Sequence, residues 1–316
     1  MTFFQVESLT VFTISAHLSV QPLSRKPIAV LALALASWLF GHLPTAQAQG
    51  KKTTPFLLDS FLRATDLADK ADQAGYGLAA GISVKGCWLA EGKDIFFNRL
   101  LVGGLTYRFI ASGDRNALDV DVEIRDATGK TVASDFRLDR DGDLIFTPTV
   151  TANYSFRMVL RLSRNGLNCV CTAVVMEKNA PRVDLKHLDT AMSKIVRGLE
   201  EADQIAQRIG LNADLRLSNN QWAFYGGLLK PGQDFTITNI NLGLGEIVAY
   251  AAGDNNTRDV DLFAYDRNNR EVASDSKTAA DAAISFRAGN GPYRLKMLNS
   301  AGNGESFILM SIFDIF

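Results

Sequence analysis

ASGDRNALDVDVEIRDATGKTVASD at residues 111–135 returns as AAGDNNTRDVDLFAYDRNNREVASD at residues 251–275, an ungapped match at an offset of 140. Twelve of the 25 positions are identical, where chance at ordinary residue frequencies gives about one or two. The chain is therefore read as one unit written twice.

Working outward, Tyr154-Ser155-Phe156-Arg157-Met158 matches Tyr293-Arg294-Leu295-Lys296-Met297 at an offset of 139. Trp88 is matched to Trp222 once a longer insertion is allowed near Gly232–Leu242 of the second copy. Each copy opens on a helical pattern. Leu188, Met192, Ile195, Leu199, Ala202 and Ile205 recur at steps of three or four, and Phe61, Ala64, Leu67, Ala68 and Ala71 do the same more weakly. The copies then span residues 55–178 and 183–316, joined by Asn179-Ala180-Pro181-Arg182.

After each helix the apolar period falls from 3.6 to 2. Val120-Asp121-Val122-Glu123-Ile124 alternates as a strand with one buried face does, and Tyr107-Arg108-Phe109, Leu144-Ile145-Phe146 and Tyr154 through Leu162 follow. Gly103-Gly104, Gly113-Asp114, Thr128-Gly129-Lys130 and Asp141-Gly142-Asp143 supply the turns. Short strands with no helices between them cannot build a parallel sheet. The expected fold is mainly β: two tandem antiparallel, jelly-roll-like β-sandwiches, each preceded by an amphipathic helix packed at one end or acting as a spacer.

Composition narrows the function. The chain has 316 residues, with 33 Lys+Arg against 34 Asp+Glu and a formal net charge of −1, so it carries no excess charge to hold phosphate backbones and nucleic acid is not an expected partner. Arg25 and Lys26 precede the apolar run Ile28–Phe40, and Ala46-Gln47-Ala48 follows as a small-x-small cleavage site. That order is a secretory signal peptide over residues 1–48, with the true start downstream, near Val20. The run is shorter than the roughly 20 residues that span a bilayer, so no membrane span is expected after cleavage. The protein is expected to be secreted or periplasmic.

Cleavage removes His17 and His42 and leaves only His187, beside Lys186 at the start of the second helix and expected to be exposed. A zinc site of two or three His cannot then be built. Cys87 can pair with Cys169 or Cys171, leaving one thiol over. Alternatively all three act as small buried hydrophobes, with Cys169 and Cys171 matched to Ile308 and Met310 of the second copy.

Asp259-Val260-Asp261-Leu262, Val272-Ala273-Ser274-Asp275 and Gly291-Pro292-Tyr293-Arg294-Leu295 together resemble the bacterial pre-peptidase C-terminal (PPC) domain family. Copy one fits the same outline through Gly113-Asp114, Asp119-Val120-Asp121-Val122, Val132-Ala133-Ser134-Asp135 and Tyr154-Ser155-Phe156, with Val122 where the family usually has Leu and Asn153 where Gly usually precedes the Tyr. The resemblance implies small jelly-roll-like sandwiches, related to collagen-binding modules and attached to many secreted peptidases. It also implies calcium in some relatives. Here the candidate ligands are Asp114, Asp119 and Asp121, with Asp254, Asp259 and Asp261 in the second copy. The alternative is that these carboxylates accept amide hydrogen bonds and fix turns.

Asp139-Arg140-Asp141-Gly142-Asp143 fails as an EF-hand because its Gly comes too early and Val150 stands where a bidentate Glu is needed, so a solvated hairpin is expected. Trp88 and Trp222, with Phe224 and Tyr225, form either a sugar-stacking platform or core. No nucleophile elbow, phosphate-binding Gly-rich loop or His-Glu-x-x-His occurs. The functional expectation is a secreted, non-catalytic protein acting in adhesion, ligand binding or as an accessory to secreted hydrolases, with a protein or polysaccharide ligand. The alternative is a periplasmic or extracellular hydrolase, peptidase or glycosidase in type, with unidentified carboxylates.

Overall fold

Alternation along Ala117–Arg125 puts Val120, Val122 and Ile124 wholly inside and turns Asp121, Glu123 and Arg125 to the other face, and Thr257–Tyr265 repeats the pattern. The computed structural model of the chain describes residues 53–182, 184, 186–216 and 221–316. The leader expected over residues 1–48 lies outside them.

In chain order the first half holds α1 (Thr54–Gln73), β1 (Tyr76–Leu78), β2 (Ile82–Leu89), β3 (Asp94–Leu101), β4 (Tyr107–Gly113), β5 (Ala117–Arg125), β6 (Thr131–Asp135), β7 (Asp141–Phe146), β8 (Ala152–Ser163) and β9 (Cys169–Lys178). The second holds α2 (Lys186–Gln207), β10 (Ala213–Leu215), β11 (Phe224–Leu229), β12 (Asp234–Asn241), β13 (Gly245–Gly253), β14 (Thr257–Tyr265), β15 (Glu271–Asp275), β16 (Asp281–Ala288), β17 (Pro292–Gly302) and β18 (Ser306–Ile315). Among the described residues every strand pair is antiparallel. The molecule is mainly β, with antiparallel sheets in a sandwich-like arrangement.

Three layers result. A ten-stranded sheet in the order β16-β13-β18-β11-β2-β9-β4-β7 runs through both halves, with β1 and β10 added on β9 and β18. Two four-stranded sheets, β3-β8-β5-β6 and β12-β17-β14-β15, cover one face of it, and Val122, Phe109, Phe156, Leu262, Met297 and Ile308 belong to the core between. The helices cover the other face. Leu57, Phe61 and Ala64 of α1 and Leu188, Met192 and Ile195 of α2 share a second core with Val84, Phe224 and Phe313.

That placement corrects the expectation that each helix sits at an end or acts as a spacer. The apolar stripes of α1 and α2 need a surface to bury against, and the even-numbered side of β2 and its neighbours is apolar as well. Phe61 meets Phe224 edge to face with centroids 6.4 Å apart, an arrangement worth about 1 kcal/mol beyond the area it buries. Gly86 makes room for this contact, because a Cβ there would lie 1.8 Å from the Phe224 ring.

The order of the eight strands on the main path reads alike from either end, with β11, β18, β13 and β16 answering β2, β9, β4 and β7. Registers recur too: Val122 faces Asp135 and Leu262 faces Asp275, while Asp121 faces Val159 and Asp261 faces Leu298. Turns follow suit. Asp126 takes the amides of Thr128 and Lys130 around Gly129 at φ +84°, and Asp266 takes those of Asn268 and Arg270 around Asn269 at φ +62°. Glycine and asparagine are residues that tolerate this left-handed conformation.

Ladder registers revise three of the correspondences expected from the sequence. Gly86 and Gly226 hold equivalent places, opposite Thr172 and Leu309, so the offset of 140 already applies at β2 and β11. No insertion near Gly232–Leu242 is needed. Trp88 accordingly corresponds to Leu228, and Trp222 lies at the position of Ile82. Cys171, opposite Gly113, corresponds to Ile308, opposite Gly253, and Met310 corresponds to Ala173. The extra residues of the second half fall instead between Leu215 and Phe224.

Candidate functional site

Asp114 and Asp254 close the turns after β4 and β13. Asp114 is fully buried and accepts from the amides of Asn116 at 2.8 Å and Val170 at 2.7 Å. Asp254 accepts from Asn256 and Phe307, both at 2.9 Å, and from the Thr257 hydroxyl. Each carboxylate thereby ties its turn to the next strand of the large sheet. Burial raises the Asp114 carboxyl above its ordinary range, against the lowering effect of the two amides.

Asp119, Asp121, Asp259 and Asp261 are elsewhere, on the outer side of the four-stranded sheets. Asp121 accepts from Arg161 Nε at 2.5 Å, Asp261 from the Ser300 hydroxyl, and Asp259 from the Ala279 amide at 3.1 Å. Burial, with the neighbouring Asp121 or Asp261 charge, raises the carboxyls of Asp119 and Asp259. One buried oxygen each of Asp119 and Asp261 has no hydrogen-bond partner among the described residues. The six acids do not converge as the calcium reading required: among the described residues no group of three or more His, Cys, Asp or Glu is placed to hold a metal ion.

The other sequence candidates also change meaning. His187 is half-buried rather than exposed, with Nδ1 2.9 Å from the Asp254 carboxylate, because α2 starts directly over that turn. Cys87, Cys169 and Cys171 are free and buried in the sandwich core, and burial pushes all three thiols up. The Asp139–Asp143 stretch is ion-paired as well as solvated: Asp141 holds Arg63 of α1, and Asp143 holds Arg108 through Nε at 2.7 Å.

The two Trp residues lie on opposite faces of the large sheet. Trp88 packs half-buried on the helix side. Trp222 is only 7% exposed, meets Phe97 edge to face at 5.7 Å and donates Nε1 to the Phe96 carbonyl at 3.3 Å. It therefore joins the second half to the open edge of β3 instead of forming a platform. Lys85 lies beside it on the same side of the sheet, with Nζ 4.3 Å from the Phe97 centroid, 5.5 Å from Trp222 and 5.7 Å from Tyr225. Burial, reinforced by the Arg99 charge, lowers this ammonium to about 8.

Aromatic rings reach solvent on both four-stranded sheets. Phe96 of β3 is 61% exposed and Phe136 53%, the latter with the Arg161 guanidinium 6.0 Å from its ring. Phe263 and Tyr265 stand on the outer face of the second sheet. Phe263 and Tyr265 alternate with core residues Leu262 and Ala264, are half-buried, and lie nearly parallel, 22° apart with centroids separated by 6.4 Å. Arg294, opposite Tyr265 on β17, places its guanidinium 4.3 Å from that ring. Lys296, opposite Phe263, is paired to Asp234 at 3.0 Å.

The equivalent face of the first half is built differently. Glu123 and Arg125 stand where Phe263 and Tyr265 stand. Arg157 joins Glu123 at 3.0 Å to Asp94 at 2.5 Å, and Arg125 adds a further pair to Glu123 at 2.7 Å. Glu123 and Arg125 are thus ion-paired where Phe263 and Tyr265 are aromatic, while the Asp94–Arg157 pair has its counterpart in Asp234–Lys296 and Phe96 lies exposed on the first face. The sequence held this signal in the aligned pairs Glu123/Phe263 and Arg125/Tyr265, but only alternation against a fixed core showed that these positions point outward.

A cavity of about 370 Å³ lies between the end of α2 and β10, lined by Thr53, Asp203, Gln207, Asp214 and Phe316 among others. Burial pushes the Asp214 carboxyl up to about 6, although the amides of Leu215 and Thr53 bind it. No helix among the described residues is long and apolar enough to cross a membrane.

No family model matches the chain, and no curated protein matches it. Among solved structures it is similar to the PBSX exported protein XepA, at 11% identity over 75% of this chain and 88% of that one, with a TM-score of 0.23. The tandem CBM22 domains from Paenibacillus barcinonensis Xyn10C match at 12% identity over 77% and 93%, with a TM-score of 0.20. The CUB1-EGF-CUB2 region of human MASP-1/3 matches at 7% over 75% and 99%, with a TM-score of 0.18. Scores this low identify neither ligand nor activity.

Proposed function

We propose that this is a secreted or periplasmic, non-catalytic binding protein of two PPC-like modules, in which the second half carries the ligand face and the first half supports it. The observation that carries the reading is the replacement of the ion-paired Glu123 and Arg125 by Phe263 and Tyr265, on a sheet that keeps the Asp94–Arg157 pair as Asp234–Lys296. Half-exposed aromatic rings on a sheet face lose hydration favourably against a planar or apolar ligand surface. A lattice of satisfied charges has little to gain from the same contact.

Rigidity supports the reading. Phe263 and Tyr265 stand on a strand anchored by the core residues Leu262 and Ala264 and paired on both sides, so the backbone that carries the rings is ordered without a ligand, which lowers the entropic cost of binding. The ligand class expected for such a face is polysaccharide or protein, as an adhesin or an accessory to secreted hydrolases would use. Glycan and protein arrays probed with the wild-type chain, Phe263→Ala and Glu123→Ala test it. A ligand retained by wild type and Glu123→Ala but lost with Phe263→Ala is expected, and signals indifferent to Phe263→Ala would remove the assignment of this face.

A further inference from the structure

Exposed apolar side chains gather at one end of the first sandwich. Two loops cross between its sheets there, residues 102–106 from β3 to β4 and residues 147–151 from β7 to β8. Val102, Leu105 and Val150 on the loops, with Leu100 and Ile145 on the strands that lead into them, are all exposed, Leu100 by 59% and Val150 by 60%. No charged side chain occurs over residues 100–107 or 144–156.

The polar groups of this tip are bonded to one another. Four successive amides, those of Val102, Gly103, Gly104 and Leu105, donate in turn to the Tyr107 hydroxyl at 3.1 Å, the Thr151 hydroxyl at 2.9 Å, the Pro148 carbonyl at 2.8 Å and the Val102 carbonyl at 3.2 Å. The Thr106 and Thr147 hydroxyls meet at 2.8 Å, and the Tyr154 hydroxyl donates to the Val150 carbonyl. Gly103 lets the loops touch, since a Cβ there would lie 3.0 Å from the Val150 and Thr151 backbone. The corresponding end of the second half is built differently. Its loops are shorter, residues 242–244 and 289–291, and the strands entering them carry Glu246, Arg287 and Arg294.

Hydrocarbon accepts apolar side chains and strongly disfavours a charge or an unbonded amide. A tip that is apolar outside, uncharged and laced to itself meets both conditions, whereas a protein interface draws on unused donors and acceptors around its rim. We infer that this end of the first sandwich docks on a lipid bilayer, with Leu100, Val102, Leu105 and Val150 entering the boundary between headgroups and acyl chains without spanning it. A formal net charge of −1 gives anionic lipid no hold on the chain, so the contact is apolar. It is separate from the ligand face of the second half, and neither depends on the other.

The apolar run at residues 28–40 offers the full chain a second route to lipid, so the test reads the tip locally. Val150→Cys in the full chain would carry an environment-sensitive fluorophore, the three native thiols being buried, and would be mixed with phosphatidylcholine vesicles. A blue shift that is quenched by brominated acyl chains is expected, while the same label at Leu244→Cys shows neither. Adding Leu105→Asp should raise the lipid concentration needed about tenfold, the size expected when a charge replaces a buried leucine, and added salt should change little. Leu105 is exposed, so melting temperatures should be unchanged, and Leu105→Ser takes its place if the charge prevents folding. A Val150 label left unquenched on vesicles, or quenching equal at Leu244, overturns the assignment. So does a shift that needs phosphatidylglycerol and disappears in salt. A shift that appears without lipid and grows with protein concentration would give the tip to a second copy of the chain instead.

Discussion

Lys85 and Tyr225 face each other across the β2·β11 ladder and occupy equivalent positions in the two halves, 140 residues apart. On either side, Phe224 pairs with Gly86 and Gly226 with Val84, so each contact is repeated with its partners exchanged. The join is an isologous interface within one chain, with its local two-fold axis through the Lys85–Tyr225 pair. The residues at the axis have diverged. The first half contributes an ammonium and the Phe97 ring nearest it, and the second contributes the Trp222 and Tyr225 rings beside it.

Gly86→Ala tests this join. The new Cβ would sit 1.8 Å from the Phe224 ring, and that ring is fixed between sheet and α1. A loss of about 2–4 kcal/mol is expected in urea unfolding, the size of an overpacked core at its upper end. Gly81→Ala, with φ +82° but nothing near its Cβ, should cost about 1 kcal/mol, from backbone strain alone.

Lys85 gives the join a pH signature. Its folded value of about 8 lies below the 10.5 of the free side chain, so from pH 8 to 10.5 the unfolded chain binds more protons and stability rises with pH. Half-exposure and the rings around the ammonium reduce the effect to about 1–2 kcal/mol. Lys85→Met should remove that rise, measured as denaturant midpoints at pH 7.5 and 10.

Asp214 works in the opposite sense. Its carboxyl is pushed up to about 6 from 3.8, so the folded state binds more protons between those values and stability falls as pH rises through them. Asp214→Asn should raise stability at pH 7 by about 1 kcal/mol, discounted for partial exposure, and change little at pH 4. An equal gain at both pH values would contradict this account.

Asp114 and Asp254 serve as turn ties, and their removal should be felt without any metal. Asp114→Ala leaves the Val170 and Asn116 amides without their partner and should cost about 2–3 kcal/mol. A chelator should leave the melting temperature of the wild-type protein unchanged. A fall on chelation, restored by calcium, would return these acids to the role of ligands.

Emission from Trp222, buried against Phe97 and bonded to the Phe96 carbonyl, should be blue-shifted and resist iodide quenching. Trp222→Phe keeps the packing but frees that carbonyl, with an expected loss of about 1 kcal/mol.

Much of this architecture was legible along the chain. Alternation over Val120–Ile124 and the doubled Asp-Val-Asp and Val-Ala-Ser-Asp strings specify antiparallel strands and their hairpins, because side-chain period and turn chemistry are local properties. The stripes at Phe61–Ala71 and Leu188–Ile205 likewise marked both helices. Trp88 and Trp222 misled for a related reason: identical residue types look equivalent until hydrogen-bond register shows that one faces helices and the other the sandwich core. The six acids could be identified by type but not by grouping, since two strand positions and a turn converge only if the backbone between them bends the right way.

Local chemistry by itself determined that the chain is mainly β with antiparallel strands, and which residues each strand turns inward. Only the tertiary structure decided that β2 and β11 join into one sheet, that both helices cover the same face of it, and that Phe263 and Tyr265 share one outer sheet face where Glu123 and Arg125 of the first half are ion-paired. The physical reason is that strand pairing and face sharing depend on contacts between residues more than a hundred positions apart, whose energy no local pattern records.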